Sequence, residues 1–130
     1  MSSLSNQMGA LSTLKLLNCV SAADTAAAST AYLAVSGYEG QIAVVINTGI
    51  ITGTITYTFS TAEDSGGTGA ATIVPVNGAL TAVTTSNDDT TAYVAVFNTS
   101  ALKGYLKVIG TIVTGPALIS YSLVGRLKTV

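Results

Sequence analysis

The chain contains no histidine and no tryptophan, a single cysteine, two prolines, and five basic and six acidic side chains in 130 residues. Without histidine there is no Ser-His or Cys-His pair, no imidazole metal ligand and no side chain with an ordinary pKa near neutrality. One cysteine makes neither an intrachain disulfide nor a thiolate zinc site; Cys19, set among Leu16, Leu17 and Val20, reads as a buried structural thiol. Charged residues are 8% of the chain, against about a quarter in an average soluble protein. The net charge of −1 offers no general attraction to nucleic acid. Long apolar runs are missing too. Runs such as Ile42 to Ile46 are far short of the roughly 20 residues of a membrane-spanning helix. No basic stretch leads into an apolar one at the N-terminus, and Leu16-Leu17-Asn18-Cys19 has Asn where a lipoprotein box needs a small residue. These features predict a soluble, unexported chain with no membrane or nucleic-acid partner.

What is present is neutral hydroxyl, 20 Thr and 13 Ser, woven into β patterns. Gly53-Thr54-Ile55-Thr56-Tyr57-Thr58-Phe59-Ser60 alternates strictly, with Ile55, Tyr57 and Phe59 on one face and threonines on the other. Gln41 to Thr48 carries the unbroken apolar stretch Ile42 to Ile46, as expected of a strand covered on both faces. Thr91 to Phe97, Tyr105 to Thr114 and Leu118 to Leu127 are rich in Val, Ile, Thr and Tyr. Weaker strands are expected at Leu14 to Val20, Thr30 to Val35, Ala71 to Val76 and Leu80 to Thr85, with a tight hairpin at Asn77-Gly78. Only Ser21 to Ser29 has the alanine content for a short helix. The pattern predicts an all-β fold: an antiparallel β-sandwich or jelly roll of about eight strands over residues 14–130, preceded by an N-terminal arm at 1–13.

The strands also repeat. Thr30-Ala31-Tyr32-Leu33-Ala34-Val35 recurs as Thr91-Ala92-Tyr93-Val94-Ala95-Val96, and Ile55-Thr56-Tyr57-Thr58-Phe59 matches Ile119-Ser120-Tyr121-Ser122-Leu123. Gly40 and Gly104 open the strands between. The offset moves from 61 to 64 residues, so an internal duplication would carry three extra residues in one loop.

No constellation of catalytic residues emerges. Ser12 and Lys15, and Ser100 and Lys103, have Ser-x-x-Lys spacing but border strands or the arm, where acyl-enzyme chemistry needs the Ser at a helix start. The acidic pairs Glu63-Asp64 and Asp88-Asp89 read as solvated turns, with a calcium loop as the sharper alternative. Ser65-Gly66-Gly67-Thr68-Gly69 has the composition of a phosphate loop but leads into a strand, so it reads as a hairpin tip. Asn98-Thr99-Ser100 fits a glycosylation tripeptide without a secretory signal, and Tyr32, Tyr57, Tyr93 and Tyr121 fit core or rim positions better than a sugar platform. No cofactor is implied.

The charges are ordered along the chain: Lys15 is alone in its region, residues 24–89 hold all six acids, and residues 90–130 hold Lys103, Lys107, Arg126 and Lys128. Separate acidic and basic patches would let one copy meet the opposite end of a neighbour. A β-rich chain with so few charges lacks the usual protection of strand edges, whereas interface cores are poor in Lys, Glu and Asp. The economical expectation is an assembly that covers much of the exterior.

The segment Ala101-Leu102-Lys103-Gly104-Tyr105-Leu106-Lys107-Val108-Ile109-Gly110-Thr111-Ile112-Val113-Thr114-Gly115, with Leu123-Val124-Gly125-Arg126 after it, resembles the closing strands of small head decoration proteins of tailed bacteriophages. Thr54 to Gly69 followed by Ala71 to Val76 is similar to their acidic, Gly-rich hairpin; the likeness spans roughly residues 50–127, though this chain has fewer charges. The resemblance implies a non-enzymatic virion protein, made in the host cytoplasm, that binds the capsid exterior and staples neighbouring capsomers. Its partners would be the major capsid protein and copies of itself, in a homo-oligomer. Contacts are expected from the arm, with Leu4, Met8 and Leu11, and from Lys15, Lys103, Lys107 and Arg126. A tail or head–tail joining protein and a carbohydrate- or calcium-binding sandwich remain the alternatives.

Overall fold

The computed structural model describes residues 13–22, 29–86 and 92–127, of which 13–22 and 127 as backbone only. Among these residues eight strands form: β1 (Thr13–Ala22), β2 (Leu33–Ala34), β3 (Tyr38–Ile51), β4 (Thr54–Ala62), β5 (Ala71–Ile73), β6 (Ala92–Asn98), β7 (Tyr105–Val113) and β8 (Ala117–Leu127). They make two antiparallel sheets, sheet A in the order β1-β8-β3-β6 and sheet B in the order β2-β7-β4-β5. That is the strand order of a jelly roll, in which β1 with β8, β2 with β7, β3 with β6 and β4 with β5 form one ribbon rolled on itself.

Alternation places the core. Ile55, Tyr57 and Phe59 of β4, Ile42, Val44 and Ile46 of β3, and Ile119, Tyr121 and Leu123 of β8 are all buried between the sheets. Thr54, Thr56 and Thr58 stay on the outside, because a strand covered on one face turns successive side chains opposite ways. The ring of Tyr57 meets that of Tyr121 edge-on at 6.0 Å, and Phe59 meets Phe97 at 4.9 Å. The Thr48 and Tyr57 hydroxyls are hydrogen-bonded at 2.6 Å inside the core. Burial pushes the Tyr57 hydroxyl's pKa up, with the Thr48 bond working in the opposite direction.

Several sequence expectations are corrected. Gln41 to Thr48 is covered on one face only: Ala43, Val45 and Asn47 point away from the core. Thr30 to Val35 contributes just two strand residues, and Leu80 to Thr85 only a bridge between Val83 and Ile55. Asn77-Gly78 is not a two-residue hairpin. Instead the Asn77 amide donates to Val94 O (2.7 Å) and accepts from Val96 N–H (3.1 Å), while Val76 N–H donates to Val96 O (2.7 Å). The free edge of β6 offers backbone groups that a second short strand would have left unpaired, so the turn closes that edge. Ser21 and Ala22 lie in β1 and Ser29 is not helical; residues 23–28 of the expected helix, like residues 1–12 of the arm, fall outside the described residues.

The repeat has a spatial counterpart. Moving by 64 residues, from Tyr57 to Tyr121, exchanges the two sheets and keeps the register. Ile55 opposite Ile112 becomes Ile119 opposite Thr48, Tyr57 opposite Gly110 becomes Tyr121 opposite Ile46, and Leu33 opposite Leu106 becomes Phe97 opposite Ile42. Gly40 and Gly104 are equivalent and share a positive φ, 69° and 109°, where a Cβ would be strained. The hexapeptide match at 61 residues is out of step: Ala34 is exposed but Ala95 is buried. A jelly roll is two-fold by construction, so this geometry does not by itself require duplication of a gene.

Candidate functional site

The outward face of sheet A is the feature that no isolated core explains. Three rows cross β6, β3 and β8: Val96-Ala43-Val124, Val94-Val45-Ser122 and Ala92-Asn47-Ser120. None of these nine side chains is charged, and none is longer than Val or Asn. Val94 is 49% exposed. The equivalent face of sheet B differs. It carries the threonines of β4, Thr111 opposite Thr56, and Lys107 opposite Ser60.

Among the described side chains, charge is confined to one end of the sandwich. Glu39, Glu63, Asp64, Lys103, Lys107 and Arg126 all lie where β3 and β7 begin and β4 and β8 finish. At the other end the β3–β4 and β7–β8 turns lie together, Thr52 N–H donating to Pro116 O at 3.2 Å. Near those turns Ile50, Val113 and Leu118 are 65%, 64% and 50% exposed.

The structure places the expected contact residues as follows. Leu4, Met8 and Leu11 fall outside the described residues, and the Lys15 backbone pairs with Leu123. Arg126 is paired with Glu39 at 3.2 Å. Lys103 Nζ donates to Gly69 O at 2.8 Å, and Lys107 Nζ stands 5.4 Å from the Tyr32 ring centroid. Tyr32 in turn bonds Ser60 at 2.8 Å and lies against Gly67. The three bases therefore share one end with three acids. The fold does not make separate acidic and basic patches of these six groups, because β3 brings Glu39 beside β8 and the 63–70 loop folds against Lys103.

The other motifs are structural. Asp64 accepts the N–H groups of Gly66 (2.9 Å) and Thr68 (3.1 Å), organising the Gly-rich loop around its own carboxylate. Hydrogen bonds from Thr68, side chain and backbone, and from Gly66 and Gly67 hold that carboxyl below its ordinary pKa. The Lys103 amine is directed to Gly69 O in place of any hydroxyl of Ser100. Among the described residues no three metal-ligating side chains converge, and no helix is long and apolar enough to cross a membrane. The uncharged sheet face was missed in the sequence because its residues belong to three strands remote in the chain; only the excess of small outward residues in 43–47 and 120–124 hinted at it. No family model, curated protein or solved structure matches this chain.

Proposed function

We propose that this chain is a non-enzymatic structural protein of a virion, which binds the outer capsid surface and cements neighbouring capsomers. The observation that carries this reading is the uncharged patch of nine side chains that crosses β6, β3 and β8 on the outer side of sheet A. Interface cores are depleted of charge, and contiguous exposed apolar surface marks a docking site. The resemblance to decoration proteins supplies the address. Viral capsid domains are among those that use the jelly roll, but a fold does not by itself assign a function.

On this reading the partners are the major capsid protein and further copies of this chain. Residues of the arm (Leu4, Met8, Leu11) and the bases Lys15, Lys103, Lys107 and Arg126 make contacts, on this reading, with the capsid or with neighbouring copies. No cofactor takes part. Capsid sites repeat, so a modest affinity at each site is multiplied when bound subunits also touch one another. Cryo-electron microscopy of the native particle tests the proposal. The expected result is density for this jelly roll on the head exterior, between capsomers, with sheet A turned toward the capsid. Density on the tail, or none on the particle, would overturn it.

A further inference from the structure

At the charged end the two halves of the jelly roll enclose a groove of about 310 Å³. Six of its seven lining residues come in pairs, Val35 and Thr99, Ser36 and Ser100, Tyr38 and Leu102, and Gly104 is the seventh. Each pair is separated by the 64 residues that relate the halves, so the groove sits on the internal two-fold. Val35 and Tyr38 are buried and Leu102 half-buried, which makes the walls apolar. The Thr99 hydroxyl already donates to Gly40 O at 2.8 Å, leaving Ser36 and Ser100 as the polar rim. No charged side chain lines it.

We propose that this groove is the seat of the chain's own N-terminal arm, which straps the two halves together at their seam. Three observations select that occupant. The volume is at the small end for a ligand site, with room for one or two side chains. The groove is uncharged, and residues 1–12 have no charged side chain but present Leu4, Met8 and Leu11 among Ser, Asn and Gln. Third, the arm starts close by. Thr13 pairs with Gly125, a Cβ on Gly125 would stand 2.6 Å from the ring of Tyr38, and Tyr38 is a wall of the groove. An extended chain covers about 3.4 Å per residue, so Met8 reaches roughly 17 Å from Thr13, enough to pass Gly125 and enter. The inference does not rest on the virion reading, but it draws on the same residues: a strapped arm meets a partner only after leaving the groove.

Disulfide trapping in the full chain tests it. Met8→Cys is combined with Ser36→Cys, with Ser100→Cys, or with Thr56→Cys as a control on the outer face of sheet B, and links are mapped by peptide mass so that Cys19 is recognised. Ser36, Ser100 and Thr56 are exposed, so the core is undisturbed. Both groove pairs should form an intrachain link at least tenfold faster than the control, at a rate independent of protein concentration. Links no faster than the control would overturn the proposal. So would links between chains that rise with concentration, which would assign the groove to a neighbour's arm.

Discussion

A lysine at Val94 probes the uncharged face directly. Val94 stands in the middle row of sheet A beside Val45, and 49% of it is exposed. Fully burying a valine side chain contributes about 1.5–3 kcal/mol, so covering the exposed half is worth roughly 1 kcal/mol. Val94→Lys forfeits that and places an ammonium among Val45, Ser122 and Val96, none of which is charged. A covered charge without a partner costs about 2–5 kcal/mol. Together these predict a loss of about 3 kcal/mol or more per site, roughly a hundredfold in affinity. The isolated fold should hardly respond, since an exposed substitution stays within about 0.5 kcal/mol. Thermal melting of the free protein and co-sedimentation with purified particles separate the two effects. Thr56→Lys on sheet B is the control, because that face already carries Lys107. Unchanged co-sedimentation of the Val94 variant would show that the face stays in water, and a strongly lowered melting temperature would show that Val94 belongs to the fold's own packing.

Three further outcomes are expected. Tyr57→Phe leaves the buried Thr48 hydroxyl without its partner and should lower stability by about 1–2 kcal/mol in urea unfolding; Thr48→Val with Tyr57→Phe should recover most of it, since an apolar pair strands no polar group. Asn77→Ala removes two bonds to the edge of β6, should cost about 1–2 kcal/mol, and should raise concentration-dependent light scattering as that edge becomes available for pairing. The Asp64 carboxyl is held below its ordinary value of 3.8. A depressed folded pKa means that its contribution is complete above the ordinary value and is lost as pH falls through the lowered one. Amide exchange at Gly66 and Thr68, corrected for intrinsic rates, should therefore accelerate in acid, and Asp64→Asn should abolish that step.

How far the sequence carried depended on whether a signal was local. Period-two alternation in 54–60 is a property of one strand, and β4 followed it residue by residue. The apolar run 42–46 locates β3 but does not tell one covered face from two. Small and apolar is what a covered face and an uncharged open face have in common, and only the position of sheet B separates them. Asn77-Gly78 is a sound hairpin signal judged by its neighbours alone. It was overridden because β6, some 17 residues on, offered unpaired backbone groups to the Asn77 amide. The most similar pair of segments was the least informative: its shift of 61 residues turns equivalent side chains to opposite faces, whereas the weaker match at 64 falls on the internal two-fold.

The charges show most sharply why order along the chain is a poor guide to a surface. Acids fill 24–89 and bases 90–130, which suggested two poles of opposite sign. In the fold, β3 and β7 both begin at one end and β4 and β8 both finish there, so Glu39, Glu63 and Asp64 come together with Lys103, Lys107 and Arg126. Three of each sign cancel. The described surface is polarised in another sense, between a charged end and an end with Ile50, Val113 and Leu118 exposed. Attraction between opposite patches would weaken steeply with salt, whereas apolar burial persists or strengthens in sulfate. If apolar surface governs assembly, then, the occupancy of particles should survive high ionic strength. Release of the protein by moderate salt alone would return the argument to the charges.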